Sequence, residues 1–153
     1  MYQIKDNILT NKFVRLIEEN HQMLVEHFMN DVLKNEYTTS YKSLDPQKLY
    51  EIGSRVYREL SRWVQKSLPK KEIDNYYRKL GKERLFQGIP YTQFFQALVL
   101  LKRQIWLFMI NRIEEDIFEY KQALELTGRV IWFFDRAALY MLIGYKEEDN
   151  KPF

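Results

Sequence analysis

Glu18-Glu19-Asn20-His21 sets a carboxylate and an imidazole three residues apart. On a helix that offset puts both on one face, which is half of the ligand set of di-iron four-helix bundles. The complete centre needs a second Glu-x-x-His on another helix. The only other histidine is His27, and Leu24 stands at its matching offset. Six residues separate the two histidines, about 240° round a helix, so they cannot share one metal. The pair reads as solvated surface, and no metal is expected. A globin-type haem hangs from a histidine, usually late in the fold. Both histidines fall in the first long helical pattern, and eleven tyrosines offer no defined alternative ligand. No cofactor is expected. With no cysteine, disulfides, thiolate metal sites and a thiol nucleophile are excluded, and a reducing compartment is favoured.

A second candidate for chemistry is Leu80-Gly81-Lys82-Glu83-Arg84-Leu85-Phe86-Gln87-Gly88-Ile89-Pro90, where glycines lie beside basic residues. A phosphate loop needs a preceding strand and closely spaced glycines. Here the preceding Ile73–Leu80 has a helical period and the glycines are seven apart. The stretch therefore reads as a helix end and a corner. Asp135-Arg136 is a charge pair inside the apolar run Val130–Tyr145. Its plain reading is a structural ion pair, with Arg84 or Arg129 as partners; the functional one is a polar contact that orients a ligand or a subunit. Neither residue has a nucleophile nearby in sequence.

The elements that must position these residues are few and long. The chain has 153 residues, 46% hydrophobic and 29% charged, with five glycines and four prolines. That is one domain with a real core and little punctuation, which favours helices. Apolar residues recur at helical spacing from about Asp6 to Lys34. Asp45-Pro46 is an N-cap followed by proline at the first helical position. The helix it starts carries Leu49, Ile52, Val56, Leu60, Trp63 and Val64 inward, with Gly53 allowing a close neighbour, and Leu68-Pro69 ends it. A third helix runs from about Lys70 to Gln87, capped by Gly88. A fourth starts at Pro90, runs to about Glu115 and buries Phe94, Leu98, Leu101, Ile105 and Phe108; Phe95, Val99, Trp106 and Met109 widen its apolar surface. The last runs from about Asp116 to Tyr145, interrupted or kinked near Gly128, and residues 146–153 form a polar, frayed tail.

The net charge of +3, from 24 basic and 21 acidic residues, does not point to nucleic acid. As a helix-turn-helix reader the helix after Gly88 would offer Pro90-Tyr91-Thr92-Gln93 and then buried aromatics, so DNA binding is not expected. Charges interrupt the apolar runs before a membrane span is reached, and the N-terminus lacks a signal peptide's pattern; a cytoplasmic protein is expected.

Residues Tyr76–Trp106 resemble the N-terminal sensor domain of RsbR-type stressosome proteins and related bacterial histidine kinases. The likeness rests on Leu80, Gly81, Arg84, Gly88, Ile89 and Pro90, then Leu101, Arg103, Ile105 and Trp106. The segment Phe133–Tyr145, with Asp135 in its F-D-x-A element, is similar to the family's closing helix. The resemblance implies an all-α, globin-like bundle of about five to six helices, haem-free and homodimeric. It implies a role in signal transduction and stress response, without catalysis, through a kinase or anti-sigma-antagonist (STAS) output domain that is absent from this chain. On that reading residues 1–153 are one sensor domain. Leu139, Leu142, Ile143 and Tyr145 are the expected dimer surface, and Phe95, Trp106 and Trp132 the expected pocket for a small apolar ligand. The alternative is a helical carrier of a small molecule or lipid.

Overall fold

The computed structural model describes residues 8–64, 70–112 and 117–149. Within them the chain is all-α: seven α-helices, one 3-10 turn and no strand. The helices are α1 (Ile8–Glu19), α2 (His21–Lys34), α3 (Pro46–Arg58), α4 (Leu60–Val64), α5 (Lys70–Phe86), α6 (Tyr91–Arg112) and α7 (Ile117–Asp149), with the 3-10 turn (Thr39–Ser43) between α2 and α3. The helix boundaries expected at Leu68-Pro69 and around Glu115 and Asp116 lie outside the described residues.

Two of the expected rods are broken, which raises the helix number to seven. The first breaks at Asn20, whose side-chain amide donates to the Leu16 carbonyl at 2.7 Å. An asparagine that bonds the local backbone competes with the helix ladder. The second breaks at Glu59, where the backbone turns to φ −106°, ψ 22°. The start of α3 follows its local chemistry: the Asp45 carboxylate accepts from the Gln47 N–H at 3.1 Å, with Pro46 at the first position. Gly53 of α3 lets Val25 and Phe28 of α2 approach to 2.8 and 3.0 Å of where a Cβ would stand.

The corner between α5 and α6 is a Schellman turn. The Ile89 N–H donates to the Arg84 carbonyl at 3.0 Å and the Gly88 N–H to the Leu85 carbonyl at 2.9 Å. Gly88 sits at φ 77°, where a side chain is strained. Pro90 precedes α6, and its carbonyl accepts from the Gln93 and Phe94 N–H groups. Gly88→Ala is expected to cost about 1 kcal/mol and Gly88→Asn less, read from chemical denaturation, because asparagine tolerates the left-handed region better.

α5 and α7 form the tightest seam. Gly81 of α5 lies against the Met141 carbonyl of α7, and Gly144 of α7 against the Arg78 carbonyl of α5. No side chain stands between the backbones at either point. Around this seam Trp63 packs on Tyr76, Tyr77 and Phe133, with ring centroids 5.3, 6.0 and 5.6 Å away. α6 buries Phe94, Leu98, Leu101, Ile105 and Phe108, as its spacing predicts. Two buried hydroxyls find backbone acceptors: Tyr57 donates to Leu101 at 2.8 Å and Tyr145 to Ile89 at 2.9 Å.

α7 is unbroken over 33 residues, about 50 Å of rod. The interruption expected near Gly128 does not occur, because packing along the rod outweighs one glycine's propensity cost. Lys146–Asp149, expected to fray, are helical. Glu147 holds that end down between Arg78 (3.4 Å) and Lys82 (3.0 Å) of α5. Residues 150–153 lie outside the described residues.

Candidate functional site

The break at Asn20 settles what the Glu-x-x-His pair does. His21 heads α2, and its ring Nδ1 lies 2.7 Å from the backbone carbonyl of Glu18. Protonated there, the ring donates to a carbonyl that the end of α1 leaves free. The imidazole thus closes a helix end. Among the described residues no three histidine, aspartate or glutamate side chains gather as a cation site.

Asp135 and Arg136 diverge by about 100° round α7. Arg136 points to α5 and makes a two-pronged bond to Asp74, Nε to Oδ1 at 2.8 Å and Nη2 to Oδ2 at 3.0 Å. Its guanidinium lies over the rings of Trp132 (5.6 Å) and Tyr140 (5.2 Å). The hydrogen bond to the carboxylate raises its pKa further. Arg136 is therefore paired with Asp74 of the facing helix and not with its sequence neighbour Asp135. Asp135 faces outward and is exposed.

Phe95, Trp106 and Trp132 are 46, 47 and 45% exposed. They belong to the outer surface and do not line an enclosed pocket. The reason is geometric: α6 is apolar around more than half of its girth, and only the side bearing Phe94, Leu98 and Ile105 is covered. On its outer side Phe95, Val99, Trp106 and Ile110 fall within about 60° of arc, flanked by Lys102 and Arg103. α7 has a matching outer stripe of Tyr120, Leu124, Ile131, Trp132, Leu139 and Leu142, all exposed and within about 120° of arc. Gly128 and Asp135 sit inside this stripe, and a Cβ on Gly128 would meet nothing within 4 Å. α6 and α7 pack on each other. Among the described residues, these two helices carry most of the exposed large apolar side chains.

Of the residues expected at a dimer surface, Leu139 (52% exposed) and Leu142 lie on this stripe, and Ile143 is partly covered beside it. Tyr145 does not belong there. It is 5% exposed, stacks against Phe94 at 6.1 Å and donates its hydroxyl to Ile89. Burial pushes its phenol pKa well above the ordinary value. Tyr145 locks the end of α7 to the α5–α6 corner.

Of the motif residues behind the resemblance, Gly81 makes the α5–α7 seam, Gly88 the cap and Pro90 the start of α6. Arg84 is the surprise. It is 3% exposed, its Nη1 donates to Gln87 at 2.5 Å and its Nε has no hydrogen-bond partner. Its neighbours one turn away are Leu80, Gly81, Gln87 and Gly88, so no acid stands where a helix could pair it. That absence is legible in the sequence, although the burial is not.

The class that fold and surface define is, over the described residues, an all-α bundle with an exposed apolar stripe on each of its two long, adjacent helices. No helix among the described residues is long and apolar enough to cross a membrane. Comparison of the chain with protein-family models, with curated proteins and with solved structures gave no match in any of the three.

Proposed function

We propose that this chain is a non-catalytic regulatory domain, globin-like and haem-free, that works as a homodimer through the outer faces of α6 and α7. The observation that carries the reading is the exposed stripe of α7 with Gly128 at its centre. A glycine in mid-helix costs about 1 kcal/mol relative to alanine, and among the described residues a Cβ there would meet nothing within 4 Å. A second backbone crossing there gives the glycine a purpose. Contiguous exposed apolar surface marks docking sites, and a two-fold interface must be self-complementary. The stripes meet that condition. α6 carries Lys102 and Arg103 at its margin and α7 carries Asp135, so α6 of one copy against α7 of the other pairs opposite charges.

As a sensor of bacterial stress-response type in the cytoplasm, the domain passes its state along α7 to a signalling partner, a kinase or STAS-type protein. Support for this part is the resemblance around Leu80–Pro90 and the length of α7. The carrier reading is weaker. The enclosed apolar cavity bounded by Phe28, Tyr41 and Leu98 measures only 20 Å³, room for about one water.

The test is the mass in solution by sedimentation equilibrium. Wild type is expected at twice the chain's 18.8 kDa, and Leu139→Glu and Trp132→Glu at the single mass with unchanged helicity. Gly128→Ala is expected to raise the melting temperature of the dissociated chain while weakening dimerisation at least about tenfold. A single-chain mass for wild type at high micromolar concentration rejects the proposal, as does a dimer indifferent to all three substitutions.

A further inference from the structure

We infer that the groove between α3 and α5 binds a small organic anion, whose carboxylate or phosphate group is held by Arg84. The groove has a volume of 520 Å³, within the usual range for small-molecule sites. Arg84 lines it while remaining almost wholly buried. Lys48 of α3 and Lys79 of α5 stand along it, with no ion-pair partner among the described residues. Ile52, Tyr76 and Leu80 supply an apolar wall.

The central fact is a buried cation without an anion. A guanidinium taken out of water is costly unless paired and fully hydrogen-bonded. Arg84 has one neutral acceptor, Gln87, and its Nε is unsatisfied. The carbonyls of Glu83, Arg84 and Leu85 accept from the N–H groups of Gln87, Ile89 and Gly88 at the helix end. The Tyr41 hydroxyl is a second buried group with no partner, and it lines the same 20 Å³ cavity as Arg84. Glu51 and Glu83 also border the groove, but both are exposed and neither pairs with Arg84. Glu83 directly precedes Arg84, so it leaves the helix about 100° away. Arg55 of the lining is already paired with Glu59; Lys48, Lys79 and Arg84 against Glu51 and Glu83 leave a net charge of +1. A fork-shaped, always-charged donor suits a carboxylate or phosphate, and the apolar wall favours an organic body behind it. The groove lies on α3 and α5, away from the stripes on α6 and α7, so this inference and the dimer reading stand or fall separately.

Benzoate and phenyl phosphate are the probes, titrated into the full chain at constant ionic strength, with sodium chloride and inorganic phosphate as controls. The readouts are calorimetry and the NMR signal of the Arg84 Nε–H. At least one probe is expected to bind and to shift that signal. Which probe binds tells a carboxylate from a phosphate ligand. Arg84→Met is expected to lose binding at least about tenfold yet to melt higher than wild type, because it removes an uncompensated buried charge. Lys48→Ala with Lys79→Ala, both at exposed positions, is expected to weaken binding several-fold and to flatten its salt dependence. Equal shifts from chloride or inorganic phosphate mean an adventitious ion only and overturn the inference. So does the silence of both probes, or binding that survives Arg84→Met. If Arg84→Met fails to fold, the lysine double variant and the wild-type Nε–H signal decide the matter.

Discussion

Gly81→Ala is expected to lower the unfolding free energy by about 3 kcal/mol or more, and Gly144→Ala by a similar amount. Each added methyl lands on a main-chain carbonyl of the facing helix, Met141 in one case and Arg78 in the other. A flexible side chain could rotate away, but a carbonyl fixed in a helix ladder cannot. α5 and α7 must therefore move apart. That movement loosens Tyr77 and Phe133 on the core side and spoils the geometry of Arg136 on Asp74. It also draws Glu147 away from Arg78 and Lys82. The double variant is expected to lose less than the sum of the two, because one separation relieves both clashes. Gly128→Ala, compared at concentrations where the chain is dissociated, is the control: within one chain a methyl there meets open space, and the helix gains propensity. Urea denaturation followed by far-ultraviolet dichroism makes the comparison. A Gly81→Ala chain within about 1 kcal/mol of wild type would show that the seam tolerates opening.

What could be read from the sequence divides along the range of the interactions involved. The cap at Asp45, the corner at Gly88 and Pro90 and the inner face of α6 all follow from chemistry within a few residues, and all are found where expected. The break at Asn20 has a local cause as well. It is masked because Leu16, Ile17, Leu24, Val25 and Phe28 keep helical spacing across it. The interruption assigned to Gly128 fails for the opposite reason, since a local propensity is outweighed by contacts along a 33-residue rod.

The errors at the candidate site are errors of long range. Phe95, Trp106 and Trp132 are residue types that favour interiors, and α6 is apolar enough to have two buried sides. Spacing alone does not say which side the rest of the chain covers. Tyr145 sits near the end of the chain, where a surface position is the natural guess, but its hydroxyl reaches Ile89, 56 residues away in sequence. Glycine at positions 81 and 144 is visible in the sequence; that each faces the other helix's carbonyl is not. The same limit applies to Arg84. Its helical neighbours show that it has no acid to pair with, whereas only the fold shows that it is buried.

Raising the pH past 10 is expected to unfold the protein within about two pH units. Four tyrosines, Tyr41, Tyr57, Tyr77 and Tyr145, are buried. Burial raises each phenol's pKa above its ordinary 10.0. The sign follows from proton counting. Below pH 10 both folded and unfolded chains keep the phenol protons, and stability does not depend on them. Above pH 10 the unfolded chain releases them and the folded chain does not, so stability falls as pH rises toward the folded values. Each phenol that stays protonated costs about 1.4 kcal/mol per pH unit, so the four together reach about 5 kcal/mol per unit. A domain stable by about 5–15 kcal/mol does not withstand that for long. The phenolate absorbance of these four, out of the chain's eleven tyrosines, is therefore expected to appear in one cooperative step together with the loss of helical dichroism. A smooth titration centred on pH 10 with the helices intact would mean that these hydroxyls reach solvent. Tyr41→Phe sharpens the test. Its hydroxyl is buried and bonds nothing, so the variant is expected to keep or gain stability at neutral pH and to move the alkaline transition upward. Tyr57→Phe gives up the bond to the Leu101 carbonyl and is expected to cost about 1 kcal/mol at neutral pH before any gain appears in base.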